Sequence, residues 1–367
     1  MRESTVHPFV SVIIPTYNEE KHIGRLLDAV IGNRYPADRI EVLVIDGGSR
    51  DQTRAIVQEK AQGCSSVRLL ENKKKIQAAA MNIGIREARG DYLLRLDGHT
   101  EVPDDFICQS VRALEEHPDA WVAGGYITSC GQGKVGQAIA AAMSVPVGVG
   151  NSAFRLGNYE GYVDTVAFGI HHKWVFDKIG GYDESAIRSE DYDFNLRVRE
   201  AGGRIWLSKH VSSLYKTRDS FRQLAGQMFN YGCWSLKTMK KHGRVPTLRK
   251  IVPVCFLVTL IGCCILGIYH SWGWMLLAGV LLPYTFAILF GSYLVGRMSG
   301  WKCALLGILI FPLMHLSYGT GTLCGLRFFW PGYVRKSSDV SYRQQLDSLG
   351  SRHGIVGGPR VPTEELL

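Results

Sequence analysis

Asp97 and His99 flank Gly98 at the point where the apolar run Tyr92 to Leu96 ends. A carboxylate and an imidazole at that spacing, where a strand gives way to a turn, suit a divalent cation, and a cation placed there suits a diphosphate. Asp46 follows an earlier apolar run in the same way, in Asp46-Gly47-Gly48-Ser49. Downstream, the pair Glu190-Asp191 offers a carboxylate able to take a proton from an attacking hydroxyl. Together these groups suit metal-assisted transfer of a sugar from a nucleotide. Singly, each has a plainer reading: Asn18 or Ser49 as helix caps, Asp46 or Asp97 as turn residues, and Glu190 to Asp193 as an acidic helix start capped by Ser189. Their convergence on one edge is what favours chemistry.

The elements that would bring them together alternate. Apolar runs at Val10 to Pro15, Ile40 to Asp46, Val67 to Glu71 and Tyr92 to Leu96 read as strands. Each is followed by a helical stretch, near Glu19 to Ile31, Asp51 to Gln62, Ile76 to Ala88 and Asp105 to Leu114. Continuous apolar strands with intervening helices predict a parallel sheet covered on both faces, whose ligand crevice lies beyond the carboxyl ends of the strands. Pro15-Thr16-Tyr17-Asn18-Glu19, Asp46 to Ser49 and Asp97 to His99 all fall at such ends. Gly47 and Gly48 also permit backbone conformations closed to other residues and a close approach by a nucleotide.

On these residues the chain resembles glycosyltransferase family 2, inverting enzymes of the GT-A fold. The resemblance rests on Val10 to Glu20, Val44 to Thr53, Asn82-Ile83-Gly84, Gly90 to His99, Ile179 to Glu184 and Ser189 to Arg197. Within the family it is most similar to membrane-attached exopolysaccharide glucosyltransferases of the succinoglycan type. The resemblance implies an α/β GT-A (nucleotide-diphospho-sugar transferase) mixed sheet flanked by helices. It implies that Pro15, Tyr17, Glu19, Asp46, Gly48, Ser49 and Asp97 bind the nucleotide sugar, with Glu19 towards the ribose and Asp46 accepting from the uracil N3–H. Asp191 would be the general base, with Glu190 beside it. Asp97 and His99 would hold the cofactor, a divalent cation (Mn2+ or Mg2+). His99 replaces the carboxylate that usually ends the family's D-x-D motif, and an imidazole suits manganese better than magnesium.

For the acceptor side the candidates are Arg155, Arg197, Gln227, Tyr231 and Trp234. Val135 to Phe154, rich in Ala, Gly and Val, reads either as core or as an interfacial segment receiving a lipid-linked acceptor. His171-His172 reads as structural or acceptor-side. Gln227 to Tyr231 does not match the Q-x-x-R-W motif of processive synthases, which favours a single addition.

The hydrophobic fraction of 46% is unevenly spread: Ile251 to Tyr269, Trp272 to Gly296 and Cys303 to Leu326 contain no Asp, Glu, Lys or Arg. Each is long enough to span a bilayer, and Trp272, Trp274, Trp301 and Trp330 flank them as interfacial anchors. The expected organisation is a GT-A catalytic domain over 1–236, a basic juxtamembrane linker over 237–250, a membrane domain over 251–330 and a polar tail over 331–367. Lys237, Lys240, Lys241, Arg244, Arg249 and Lys250 before the first span, and Arg297 and Lys302 after the second, place those loops inside. Arg327, Arg335 and Lys336 would conflict with three full crossings, and Pro312 with Gly319, Gly321 and Gly325 suggests a third segment that is re-entrant or lies partly in the interface.

The net charge of +9 fits an anionic inner leaflet or a pyrophosphate, and no aromatic platform or motif for nucleic acid accompanies it. Nine cysteines, an odd number without a C-x-x-C pair, read as small buried hydrophobes in a reducing compartment. The expected location is a bacterial inner membrane with the catalytic half in the cytoplasm. The expected reaction moves a hexose, glucose from UDP-glucose, to a polyprenyl-diphosphate-linked saccharide, with membrane lipid and other polysaccharide assembly proteins as partners. The alternatives are a polyprenyl-phosphate acceptor and a non-catalytic nucleotide-sugar-sensing membrane subunit. A saccharide transporter fits poorly, since only His315 within the spans is ionisable near neutral pH.

Overall fold

The computed structural model describes residues 7–185, 190–243 and 247–329. Ser189, Arg244, Trp330, Arg335, Lys336 and the tail lie outside the described residues. Among those described, eight strands form one sheet: β1 (Val10–Thr16), β2 (Ile40–Asp46), β3 (Val67–Glu71), β4 (Tyr92–Arg95), β5 (Ala120–Cys130), β6 (Gly161–Tyr162), β7 (Ala167–His172) and β8 (Arg204–Lys216). The order is β3-β2-β1-β4-β7-β5-β8-β6. The helices α1 (Ile23–Ile31), α2 (Thr53–Gly63), α3 (Gln77–Glu87) and α4 (Phe106–Glu115) follow the first four strands. Then come α5 (Gly133–Ala142), α6 (Pro146–Val149), α7 (Ala153–Leu156), α8 (Lys173–Ile179) and α9 (Glu190–Glu200). The chain continues through α10 (Phe221–His242), α11 (Leu248–Tyr269), α12 (Trp272–Ser299) and α13 (Trp301–Gly325).

β3, β2, β1 and β4 run parallel, so the expected parallel half is present. β7 then lies antiparallel between β4 and β5, and β6 antiparallel to β8, which makes the whole sheet mixed. Every residue of β1 and β2 is buried, as strands covered by helices on both faces require. Because β1, β2 and β4 share one direction, Thr16, Asp46 and the residues after Arg95 all leave the sheet at the same edge.

Helix α1 starts four residues later than its sequence suggests. Asn18 adopts a φ of 54° and its Oδ1 accepts the Arg50 N–H, so residues 17–22 form a loop that carries Glu19 to the rim. Asn82 and Gly84 serve packing. Asn82 donates to the Tyr182 carbonyl and accepts its N–H, tying α3 to the 180–184 turn. Gly84 lets α3 press against Ile13 of β1.

Helices α11, α12 and α13 contain stretches of 21, 28 and 25 residues that are long and apolar enough to cross a membrane. The third is one continuous helix. Gly319, Gly321 and Gly325, read above as weak points, sit against the Pro253, Phe229 and Cys233 carbonyl oxygens and allow close helix approach. The basic stretch at 237–250 is divided, its first part ending α10 and Arg249 and Lys250 opening α11. The alanine-rich segment joins the two halves: Ala138, Ile139 and Ala142 of α5 share one core with Ile288 and Val295 of α12 and Phe311 and Met314 of α13. Within that contact His315 Nε2 lies 2.8 Å from the Val147 carbonyl, and its Nδ1 3.0 Å from the Tyr284 hydroxyl.

Candidate active site

At the shared strand edge lies a cleft of about 1370 Å³, with a smaller recess of about 230 Å³ beside it. Tyr17, Lys75, Gln77, Asp97 and His99 line both. Pro15, Glu19 and Gly47 line the recess, and Glu190, Asp191, Arg155, Gln227 and Tyr231 line the cleft. The first turn of α9 thus faces the β4 edge, and Asp191, an exposed residue, shares the cleft with Asp97 and His99.

The four residues after Ser189 have different partners. Glu190 is only 5% exposed and its Oε1 lies 3.0 Å from Arg95 Nη2. Burial pushes its carboxyl up, against the pull of Arg95, to about 7. Asp193 faces away from the cleft and pairs with Arg197, Lys241 and His242. Burial would raise its carboxyl, but the His242 hydrogen bond and the two cations hold it far below the usual carboxylate range. Asp193 therefore fixes α9 to α10 and leaves Asp191 as the carboxylate open to a substrate.

Arg95 is the residue that the sequence reading missed. It is 8% exposed and bridges Asp97, at 3.1 Å, and Glu190. Gln77 Nε2 donates to the same Asp97 oxygen at 2.8 Å. The available signal was an arginine inside the otherwise apolar run Tyr92 to Leu96, since a charge in a buried strand requires a partner. Lys75 and Arg218 also line the cleft and went unread.

His99 Nδ1 lies 2.9 Å from Glu19 Oε1. That hydrogen bond raises the imidazole above its ordinary value, against the lowering effect of burial. It also engages one ring nitrogen with a carboxylate, the arrangement that orients a metal-ligating histidine through its other nitrogen. Among the described residues no three Asp, Glu, His or Cys side chains form a complete metal site. Asp97 and His99 would offer a cation two donors, which fits one whose remaining ligands come from a diphosphate and water.

Asp46 corrects an expectation. Its side chain is fully buried, accepting from the Gly48 and Ser49 N–H groups, the Ser49 hydroxyl and Arg54 at 2.8 Å. Burial would raise it, but the Ser49 and Arg54 bonds and the two backbone donors hold it below the usual range. In this arrangement it shapes the turn and presents no surface to a uracil. Gly48, with a φ of 80°, is required there, and Ser49 lies behind the turn and accepts the Asn18 N–H.

Of the acceptor candidates, Gln227 donates to the Tyr215 and Tyr231 hydroxyls, each at 3.0 Å, at the cleft wall. Arg155 packs between Phe154 and Tyr215. Arg197 is placed differently: its guanidinium meets Asp193 and the Ile179 and Gly181 carbonyls, outside the cleft. Trp234 also lies outside the cleft lining and stacks with Lys237. His171 is buried against Phe176 and Phe194, and burial lowers it to about 4, as a structural histidine requires. His172 packs against Tyr92 and Trp174.

The sequence profile of glycosyl transferase family 2 matches residues 11–169. The succinoglycan biosynthesis protein ExoA of Rhizobium meliloti is 33% identical over 246 residues, covering 66% of this chain and 74% of that protein. The chain belongs to glycosyl transferase family 2. A second similar protein, from Methanococcus voltae, is a dolichyl N-acetyl-alpha-D-glucosaminyl phosphate 3-beta-D-2,3-diacetamido-2,3-dideoxy-beta-D-glucuronosyltransferase. It is 29% identical over 231 residues, which cover 61% of this chain and 72% of that enzyme. Among solved structures, the Pyrobaculum calidifontis mannosyltransferase PcManGT, in complex with GDP-Man and Mn2+, superposes with a TM-score of 0.58 over 88% of each chain at 18% identity. That likeness shows the GT-A fold. The protein is accordingly a family 2 glycosyltransferase built on a mixed sheet, with apolar helices at its C-terminal end.

Proposed function

We propose that this family 2 member is an inverting transferase attached to a bacterial inner membrane. It moves a hexose, glucose from UDP-glucose, to a polyprenyl-diphosphate-linked saccharide in polysaccharide assembly. One observation carries the proposal: Asp191, Asp97 and His99 line a single cleft that runs on to the membrane-type helices, where Phe256, Ala287 and Met314 continue its wall. The names of ExoA and the Methanococcus enzyme, a polysaccharide biosynthesis protein and a dolichyl-phosphate-sugar transferase, support the substrate class. The catalytic half then faces the cytoplasm, with the basic residues at the end of α10, at the start of α11 and at the α12–α13 junction.

In this reading the acceptor hydroxyl attacks the anomeric carbon, its proton passes to a carboxylate oxygen of Asp191, and the bond to the diphosphate oxygen breaks on the opposite face. The centre inverts, so an α-linked donor gives a β-linked product. Tyr17, Glu19 and the 46–49 turn shape the nucleotide recess, with Asp46 acting through the turn. Arg95 holds Asp97 and Glu190 in register. Asp97 and His99 would hold a divalent cation, which when bound offsets the charge developing on the departing diphosphate. The Mn2+ of the mannosyltransferase complex supports that choice of ion.

The test is transfer of label from UDP-glucose, UDP-galactose and related donors into lipid by membranes containing the full chain. Asp191→Asn should cost about 10²–10⁴-fold in transfer and leave UDP affinity unchanged. Turnover at the wild-type rate in that variant would remove Asp191 as base. UDP binding without turnover of any donor in the wild type would point to a sensing subunit.

A further inference from the structure

Six cations line the cleft; Lys75 and Arg218 are exposed to water, and the four withdrawn from it are of two kinds. Arg95 is matched by Asp97 and Glu190, and Arg249 by Asp164 at 2.7 Å. Arg155 and Lys250 have no carboxylate within ion-pair distance among the described residues. Arg155 lies 5.2 Å from the Tyr215 ring, and its Nη1 is buried with no hydrogen-bond partner. Lys250, in the first turn of α11, holds its ammonium 2.9 Å from the centre of the Tyr192 ring. A charge withdrawn from water without a counter-ion costs several kcal/mol, so two on one cleft wall describe a place for an anion.

Their position says which anion. Lys250 sits on the ring of Tyr192, the neighbour of Asp191 in α9, and Arg155, Lys250 and Asp191 line the same cleft, so both cations belong to the neighbourhood of the proposed base. The donor recess adjoins the cleft at Lys75, Asp97 and His99, residues that line both, and neither Arg155 nor Lys250 lines it. Past Lys250 the wall becomes mainly apolar, through Val252, Pro253 and Phe256 of α11 and Met314 of α13, with the Tyr284–His315 pair beside them. A ligand matching this sequence of surfaces has a phosphate head beside the catalytic carboxylate and a hydrocarbon chain directed between membrane helices.

Building on the proposed function, we infer that Arg155 and Lys250 bind the phosphate head of the lipid acceptor, and that the α11–α13 end of the cleft takes its prenyl chain. The two cations set the acceptor's depth, so that the sugar beyond the head reaches Asp191.

The experiment uses the full chain purified in detergent, titrated with farnesyl diphosphate, farnesol, inorganic pyrophosphate and, separately, UDP with Mn2+. Farnesyl diphosphate should bind the wild type at least tenfold more tightly than either farnesol or pyrophosphate alone. Lys250→Met and Arg155→Met should each weaken it at least tenfold, with UDP affinity within twofold of wild type and no loss of thermal stability. Lys250→Arg should restore the prenyl diphosphate. Unchanged farnesyl diphosphate affinity in both Met variants would overturn the inference while leaving the glycosyltransferase reading intact. An equal loss of UDP affinity would assign the two cations to the donor and overturn it as well. Pyrophosphate binding as tightly as farnesyl diphosphate would show a free-phosphate site with no tail groove. A wild type that binds no prenyl diphosphate yet transfers sugar would remove the lipid acceptor itself, and the inference with it.

Discussion

Replacing Arg95 by Met keeps most of the side-chain volume and deletes the charge that joins the two ends of the site. The guanidinium is 8% exposed and lies 3.1 Å from Asp97 and 3.0 Å from Glu190, itself 5% exposed. Removing one partner of a buried ion pair costs about 3–5 kcal/mol, because the other charge remains without compensation. Glu190 has an escape, since burial already pushes its carboxyl up to about 7, and without Arg95 it moves higher and takes a proton.

A carboxyl whose folded value lies above its unfolded one is penalised at pH above the unfolded value, by about 1.4 kcal/mol per unit until the folded value is reached. The loss in Arg95→Met should therefore be largest near pH 8 and shrink towards pH 5. At pH 8 the melting temperature of the full chain in detergent should fall by roughly 3–10 °C, taking about 1–2 °C per kcal/mol, since the shift per kcal/mol falls as the folding unit grows. Arg95→Met with Glu190→Gln should recover much of that stability, a coupling that independent sites would not show. Transfer should stay low in the double variant, since Asp97 remains unpositioned. A melting temperature within about 2 °C of wild type at pH 8, or a loss independent of pH, would refute the account of Arg95 as a buried bridge.

Further outcomes follow from other contacts. His99→Ala should weaken Mn2+-dependent UDP binding about tenfold or more, and Glu19→Gln should do so by about ten- to hundredfold through the orientation of the ring. Both are read by isothermal titration with and without metal, and in His99→Ala metal-free binding should not change. His242 bonds to Asp193 and Glu200, chiefly Asp193, and its imidazole is held above the ordinary value of about 6.5. The stability it contributes is complete below that value and is lost as pH rises through the raised one. Melting curves from pH 6 upward should therefore decline in the wild type more steeply than in His242→Gln. At Gly84 an added Cβ would stand 2.4 Å from Ile13 Cγ2, so Gly84→Ala should destabilise by about 1–3 kcal/mol.

The first four strands were legible because each is an apolar run followed by a helix, and their parallel direction put Pro15 to Glu19, Asp46 and Asp97 at one edge without knowledge of any contact. The antiparallel β7 was not legible: Ala167 to His172 pairs with strands distant in sequence, and neither periodicity nor turn chemistry gives that register. Asp191 was singled out by its place in an ordered set of motifs. Its distinction from Asp193 depends on which face of α9 meets Lys241 and His242, and that follows from packing with α10. The contact of Asp46 with the base was expected from the family resemblance, while the residues alone also allowed a turn former. The saturation of Asp46 by Gly48, Ser49 and Arg54 appears only in three dimensions. Lys250 was counted among the charges that orient a span, a role it can fill while its ammonium faces the cleft.

The core shared by α5 with α12 and α13 makes the two halves one folding unit. A chain cut before Leu248 would uncover Ala138, Ile139 and Ala142 and put water against surface now packed on Ile288, Val295 and Phe311. Such a fragment would seek detergent or self-association to replace the missing cover, so a soluble truncation is the wrong reagent for measuring this enzyme.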